Sequence, residues 1–162
     1  MQKHHVEARL LLLALLGLGT GVAVYLLDRG GAAYFVPGEI GAALPIRSVF
    51  GSLSGSLPAF AHVFAFALFT AALLGPGRVD GSRICLAWWG ADSIFELGQA
   101  NAVDAFILDL VPVALADVWP VAYVTSYFRQ GTFDLQDLLA IALGAAAAFL
   151  VVSAMQSQGE KP

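Results

Sequence analysis

The sequence predicts an all-α polytopic membrane protein. Its four-helix transmembrane bundle carries an interfacial or re-entrant segment between the third and fourth helices. Three observations predict it. Of 162 residues, 59% are hydrophobic and only 12% are charged, where a soluble domain carries about 25% charge. Four runs, 10–27, 57–74, 84–100 and 138–155, are long and apolar enough to approach the ~20 residues that cross a bilayer. Turn and capping residues stand at their ends.

The first run, Leu10 to Leu27, is bounded by Arg9 and by Asp28 and Arg29. Lys3 to Arg9 looks like the basic start of a signal peptide. The 18 uncharged residues that follow exceed the usual signal core of about 7–15, so they predict a retained helix. The second run starts behind Ser56 and Pro58 and ends at Gly75-Pro76-Gly77, the usual order of proline before and glycine after a helix. The third carries Asp92, Glu96 and Gln99. The fourth ends before the polar tail from Gln156 to Pro162. All four belong to one integral membrane domain, residues 1–162.

Two stretches remain. Residues 30–55 are rich in Gly, Pro and Ser and read as a loop, with a short interfacial helix around Ile46–Phe50. Residues 101–133 are apolar but interrupted by Asp104, Asp109, Asp117, Pro112 and Pro120. Three aspartates are costly in lipid, so this stretch reads as surface-lying or re-entrant, with Trp119, Tyr123 and Tyr127 at head-group level. A fifth span over 102–127 is the alternative. Trp88 and Trp89 read as interfacial anchors.

Lysine and arginine placement sets the orientation. With both termini cytoplasmic, the inside holds Lys3, Arg9, Arg78, Arg83 and Lys161, and the outside Arg29, Arg47 and Arg129. The expected location is the cytoplasmic (inner) membrane, crossed several times. A net charge of −4 offers no basic face for nucleic acid. The lone Cys85 and three scattered histidines give no disulfide and no metal pattern, and no cofactor is implied.

On that topology the polar residues converge. His62 lies five residues into the second helix, and Glu96 and Gln99 lie near the end of the third. At ~1.5 Å per residue, His62 and Glu96 sit roughly 6–8 Å inside the outer boundary. Asp134 and Asp137 open the fourth helix at the same level, just after Arg129. Asp92, Glu96 and Gln99 are spaced i, i+4 and i+7, on one helix face. Ionisable groups in lipid cost at least ~2.5–3.5 kcal/mol. They are therefore expected to face the bundle interior and pair with each other, with Arg129 or with water. Asp92, the deepest, needs either a water-filled cavity or a donor. Gly144 and Ala145–Ala148 are small enough for close helix approach.

These residues resemble the VanZ-like membrane proteins. The run from Pro58 to Phe66 is similar to that family's histidine-containing second helix, with His62 at the histidine. Glu96 and Gln99 match its Glu-x-x-Gln motif, and Arg129, Asp134 and Asp137-Leu138-Leu139 match its entry into the last helix. Gly144 falls on the small-residue position that follows. The resemblance covers about residues 56–148. Ile141 stands where the family usually has Asn, and the insert between Gln99 and Arg129 is longer than usual. The family is associated with low-level resistance to teicoplanin. The resemblance therefore implies a bacterial cell-envelope role and names no reaction.

Two functional readings are open. In the first, His62 and Glu96 act at the outer-leaflet face, where an anionic lipid or lipid-linked head group is bound by Arg129 or processed by acid–base chemistry. Whether any catalysis occurs is undecided. In the second, the same groups are structural, and the bundle is an accessory or assembly subunit of a partner membrane complex. Asp134 then reads as a helix cap, and Gln99 as a hydrogen-bond partner.

Overall fold

A computed structural model describes residues 2–29, 48–75, 79–115, 118 and 121–159, a few of them by backbone alone. Every regular element among the described residues is helical. They are α1 (Gln2–Leu27), α2 (Leu57–Leu74), α3 (Gly81–Leu97), α4 (Asn101–Asp109), α5 (Val121–Gln130) and α6 (Leu135–Gly159), with short 3₁₀ turns at Gly51–Ser54 and Val113–Leu115. Three are long and apolar enough to cross a membrane: His4–Leu27, Leu57–Leu74 and Leu135–Ser157, with mean hydropathies of 2.4, 2.0 and 2.5. α3 is shorter, at 17 residues.

The boundaries follow local chemistry. α2 coincides with the predicted run. α3 starts and ends three residues before its predicted run, because Asp80 accepts the Ser82 N–H at 3.0 Å and caps it early. That bond holds the Asp80 carboxyl below its usual range. α6 starts three residues before its run, because Asp134 accepts the Gln136 N–H at 2.8 Å, the bond of an N-cap aspartate. Between α3 and α6, α4 and α5 have nine and ten residues. At ~1.5 Å per residue neither reaches across a bilayer core. The interfacial helix expected at Ile46–Phe50 lies partly outside the described residues. Within them, Val49 and Phe50 donate to the two Asp28 carboxylate oxygens at 2.7 and 2.9 Å, and the 3₁₀ turn follows at Gly51–Ser54.

α2 is the central helix. It packs most extensively on α1 and α6, while α3 packs on α6 and α2. The helices run alternately up and down. Val6 and Leu10 of α1 lie beside Gly75, Ile84, Val152 and Met155, so the start of α1 and the end of α6 share one end of the bundle. The opposite end gathers Asp28, Ser56, Gly98 and Asp134.

The core is built from small residues. Ala14, Ala65, Ala67 and Ala148 are fully buried with Leu10, Leu68 and Val152. At Gly144 α6 meets the backbone of α2: a Cβ there would stand 2.6 Å from the Phe60 carbonyl oxygen. The expectation that Gly144 permits close approach is met by that backbone contact. Large apolar residues face outward instead, as at Leu12, Leu15 and Leu16 on α1, Leu86 and Ile94 on α3, and Leu139, Leu143 and Leu150 on α6. So large an exposed apolar surface is out of place in water. Trp88 differs from its expected role. Its indole donates to Thr70 Oγ1 at 2.9 Å, which pins α3 to α2 within the bundle.

Gly144→Ala is expected to destabilise the protein by about 1–3 kcal/mol through overpacking against the α2 backbone. Gly19→Ala, where a Cβ meets nothing within 4 Å, is expected to be neutral or stabilising. Thermal unfolding of both variants in detergent checks the contrast.

Candidate functional site

The end of the bundle formed by the α1 C-terminus, the α2 N-terminus, the α3 C-terminus and the α6 N-terminus holds the polar residues that the sequence points to. They do not form one cluster there. They form three linked contacts with different partners.

In the first contact, His62 Nδ1 and Asp92 Oδ2 stand 2.6 Å apart. The carboxylate facing His62 is thus Asp92, one turn deeper than Glu96, and not Glu96 itself. Helical position explains the exchange. His62 lies on the side of α2 that faces α3 through Phe66 and Thr70, where Trp88 and Asp92 project. His62 packs on Phe66 at a centroid distance of 4.4 Å. Its side chain is 47% exposed, whereas that of Asp92 is 12% exposed. This answers the question of a donor for Asp92. Nδ1 is the ring nitrogen turned to the carboxylate, which leaves Nε2 at the surface.

In the second contact, Glu96 is 7% exposed and accepts the backbone N–H of Asp134 at 2.7 Å. In a capping box the third residue of the helix would bond the N–H of its own N-cap. Here that position is Asp137, and the acceptor comes from α3. Asp137 Oδ1 is buried without a hydrogen-bond partner among the described residues.

In the third contact, Gln99 is 8% exposed and donates through Nε2 to the Tyr127 hydroxyl oxygen at 2.6 Å. This ties α5 to the end of α3. Phe128 packs over Gly98, and the Phe95 and Phe128 rings stack at 5.9 Å. Burial pushes the Tyr127 hydroxyl up to about 12, and the Glu96 carboxylate adds to it while the Gln99 bond opposes it. The backbone of Arg129 lies in the last turn of α5, but its side chain is outside the described residues, as is any ion pair it makes with Asp137.

Two residues had no assigned role in the sequence. Arg29 donates to the Gly55 carbonyl at 2.6 Å and lies over the Tyr25 ring, 5.1 Å from its centroid. Asp92 was legible as a costly charge, but its partner needed the relative rotation of α2 and α3. Among the described residues no group of three His, Cys, Asp or Glu side chains is placed to hold a metal ion. Compared with family models, curated proteins and solved structures, the chain matches none of them.

Glu96→Gln keeps an acceptor for the Asp134 N–H and is expected to leave the detergent melting temperature nearly unchanged. Glu96→Leu leaves that N–H unpaired and is expected to cost about 1–3 kcal/mol. Equal stability of the two variants would remove the role assigned to this bond.

The raised Tyr127 value also predicts a pH dependence. The folded chain keeps a proton that the unfolded chain releases near pH ~10. Its contribution to stability is therefore complete below about pH 10 and declines as pH rises through about 12. Tyr127→Phe is expected to flatten the fall of melting temperature over that range.

Proposed function

We propose that this chain is a VanZ-like bacterial cell-envelope protein of the inner membrane that binds or processes an anionic lipid or lipid-linked head group at the outer-leaflet face. α3 serves as the fourth span. Its 17 residues rise ~26 Å, and Leu86, Trp89, Ile94 and Phe95 face outward along it, as a lipid-facing helix requires. The arginine and lysine distribution favours cytoplasmic termini. That puts His62, Asp92, Glu96 and Gln99 toward the outer leaflet.

The observation that carries the reading is the unequal exposure of the polar groups. Glu96 and Gln99 are sealed against protein partners, while His62 is half-exposed on a surface otherwise made of apolar side chains. A polar ring edge left in that position costs free energy unless something outside the protein pairs with it. The order His62, Glu96-x-x-Gln99, Asp134 and Asp137 supports the VanZ-like assignment, because all four motifs fall at one end of the bundle.

A second reading, an accessory subunit of a partner complex, draws on a different feature. An apolar groove of about 450 Å³ runs between α3 and α6, lined by Cys85, Trp89, Ala142, Ala145, Ala146 and Phe149. Small residues of this kind receive neighbouring helices.

Two experiments test the proposal. In a Cys85→Ala background, Thr132→Cys is expected to react with an impermeant thiol reagent added outside intact cells, and Ser157→Cys is expected not to. The reverse pattern inverts the topology. Native mass spectrometry of protein taken from bacterial lipid extract is expected to show retained lipid, reduced at least about tenfold in His62→Ala. A variant that keeps all bound lipid, or that loses lipid only by unfolding, would favour the structural reading.

A further inference from the structure

α4 and α5 pack on each other and touch the long helices only weakly. What ties α5 to the bundle is concentrated in one turn. The Tyr127 hydroxyl oxygen accepts from Gln99 Nε2 at 2.6 Å. The Phe128 ring stacks on Phe95 at 5.9 Å, and among the described side chains of α5 only Phe128 is buried. Both ends of the segment close over missing side chains. A Cβ at Gly98, shortly before α4, would run into the Phe128 ring, and one at Gly131, just after α5, would run into the Gln99 amide. Under this turn lie two groups hidden from the surroundings, Gln99 at 8% and Glu96 at 7% exposure. The Tyr127 hydroxyl is within electrostatic range of Glu96. A short helix held by one hydrogen bond and one ring stack belongs to the low-stability end of a fold, from which lids are drawn.

We propose that α5 is a lid over Gln99 and Glu96, latched by the bond between Tyr127 and Gln99, and that lifting it admits a head group to those two residues. The inference rests on the head-group reading above and names how access to that site is regulated. Gln99 Nε2 donates to an oxygen that belongs to another element. When the lid lifts, a head-group oxygen takes the place of the Tyr127 hydroxyl, so the amide is not left unpaired. Phe128 leaves Gly98 in the same motion, because one helical turn carries both side chains. Gly98 and Gly131 bracket the moving segment, where the backbone of a hinge must turn. His62 is half-exposed with the lid closed. The lid therefore divides the polar end into an open part at His62 and a gated part at Glu96 and Gln99.

Hydrogen exchange of the full-length protein in nanodiscs tests the lid. The amides of residues 125–131, bonded within α5 and its last turn, are expected to exchange as one unit, well ahead of those of α2 and α6. Tyr127→Phe keeps the ring but drops the latch. It is expected to speed these amides together, about three- to tenfold, while α2 stays slow. Gly131→Ala, which sets a methyl group against the Gln99 amide, is expected to do the same. Protection that is graded inward from the helix ends and unchanged in Tyr127→Phe is fraying, and overturns the lid. Exchange of these amides only together with those of α2 makes α5 part of the bundle, and overturns it too. Access is read separately, from the rate at which protein loaded with deuterated bacterial lipid extract releases its bound lipid into unlabelled vesicles. Tyr127→Phe is expected to speed release by a similar factor. Faster amide exchange with unchanged lipid release overturns the access role and leaves the lipid-binding reading standing. Retention of no lipid by any variant removes that reading and the access role together.

Discussion

The bond from the Asp134 N–H to Glu96 joins the end of α3 to the beginning of α6, and the arrangement of the polar end depends on it. A helix start exposes backbone donors that lipid cannot satisfy. Asp134 meets one of them with its own side chain, and Glu96 meets another from α3. Once these two helix ends are fixed, Gln99 is in place for Tyr127 and α5 is drawn across the end of the bundle. Asp92, one turn back on the same face of α3, meets His62 of α2.

The apolar interior works on a different principle. In lipid, burying a leucine between helices gains little, because the acyl chains outside are equally apolar. What remains is contact, and contact is greatest where backbones approach closely. The chain accordingly puts alanine and glycine inside, at Ala14, Ala65, Ala148 and Gly144, beside only Leu10 and Leu68 among the fully buried leucines, and leaves leucines such as Leu12, Leu86 and Leu143 outside. α2 has such small faces toward both α1 and α6, which is why it occupies the centre.

Much of this was legible in the sequence. Apolar length located α2 to the residue and α3 and α6 within four residues, whereas α1 begins at Gln2, eight residues before the predicted Leu10, and charge spacing put His62, Glu96, Gln99, Asp134 and Asp137 at one end. The close approach at Gly144 was legible too, since only a missing side chain permits it. The pairing was not. Depth along a helix follows from counting residues, but which carboxylate meets His62 depends on how α2 and α3 are turned about their axes. That is set by Trp88 and Thr70, whose bond has no local sequence signal. Asp134 was readable as a cap, whereas its second partner, 38 residues away in sequence, was not. The segment from 101 to 133 read as surface-lying or re-entrant because of its prolines and aspartates, and the two helices described within it, α4 and α5, have nine and ten residues.

Glu96 has a consequence for biogenesis. The acceptor that completes the first turn of α6 is synthesised well before α6 itself. α6 therefore keeps one donor unmet until it docks on α3, so the packing of α6 is coupled to the correct placement of α3, and a misplaced α3 would leave a defect at the start of α6.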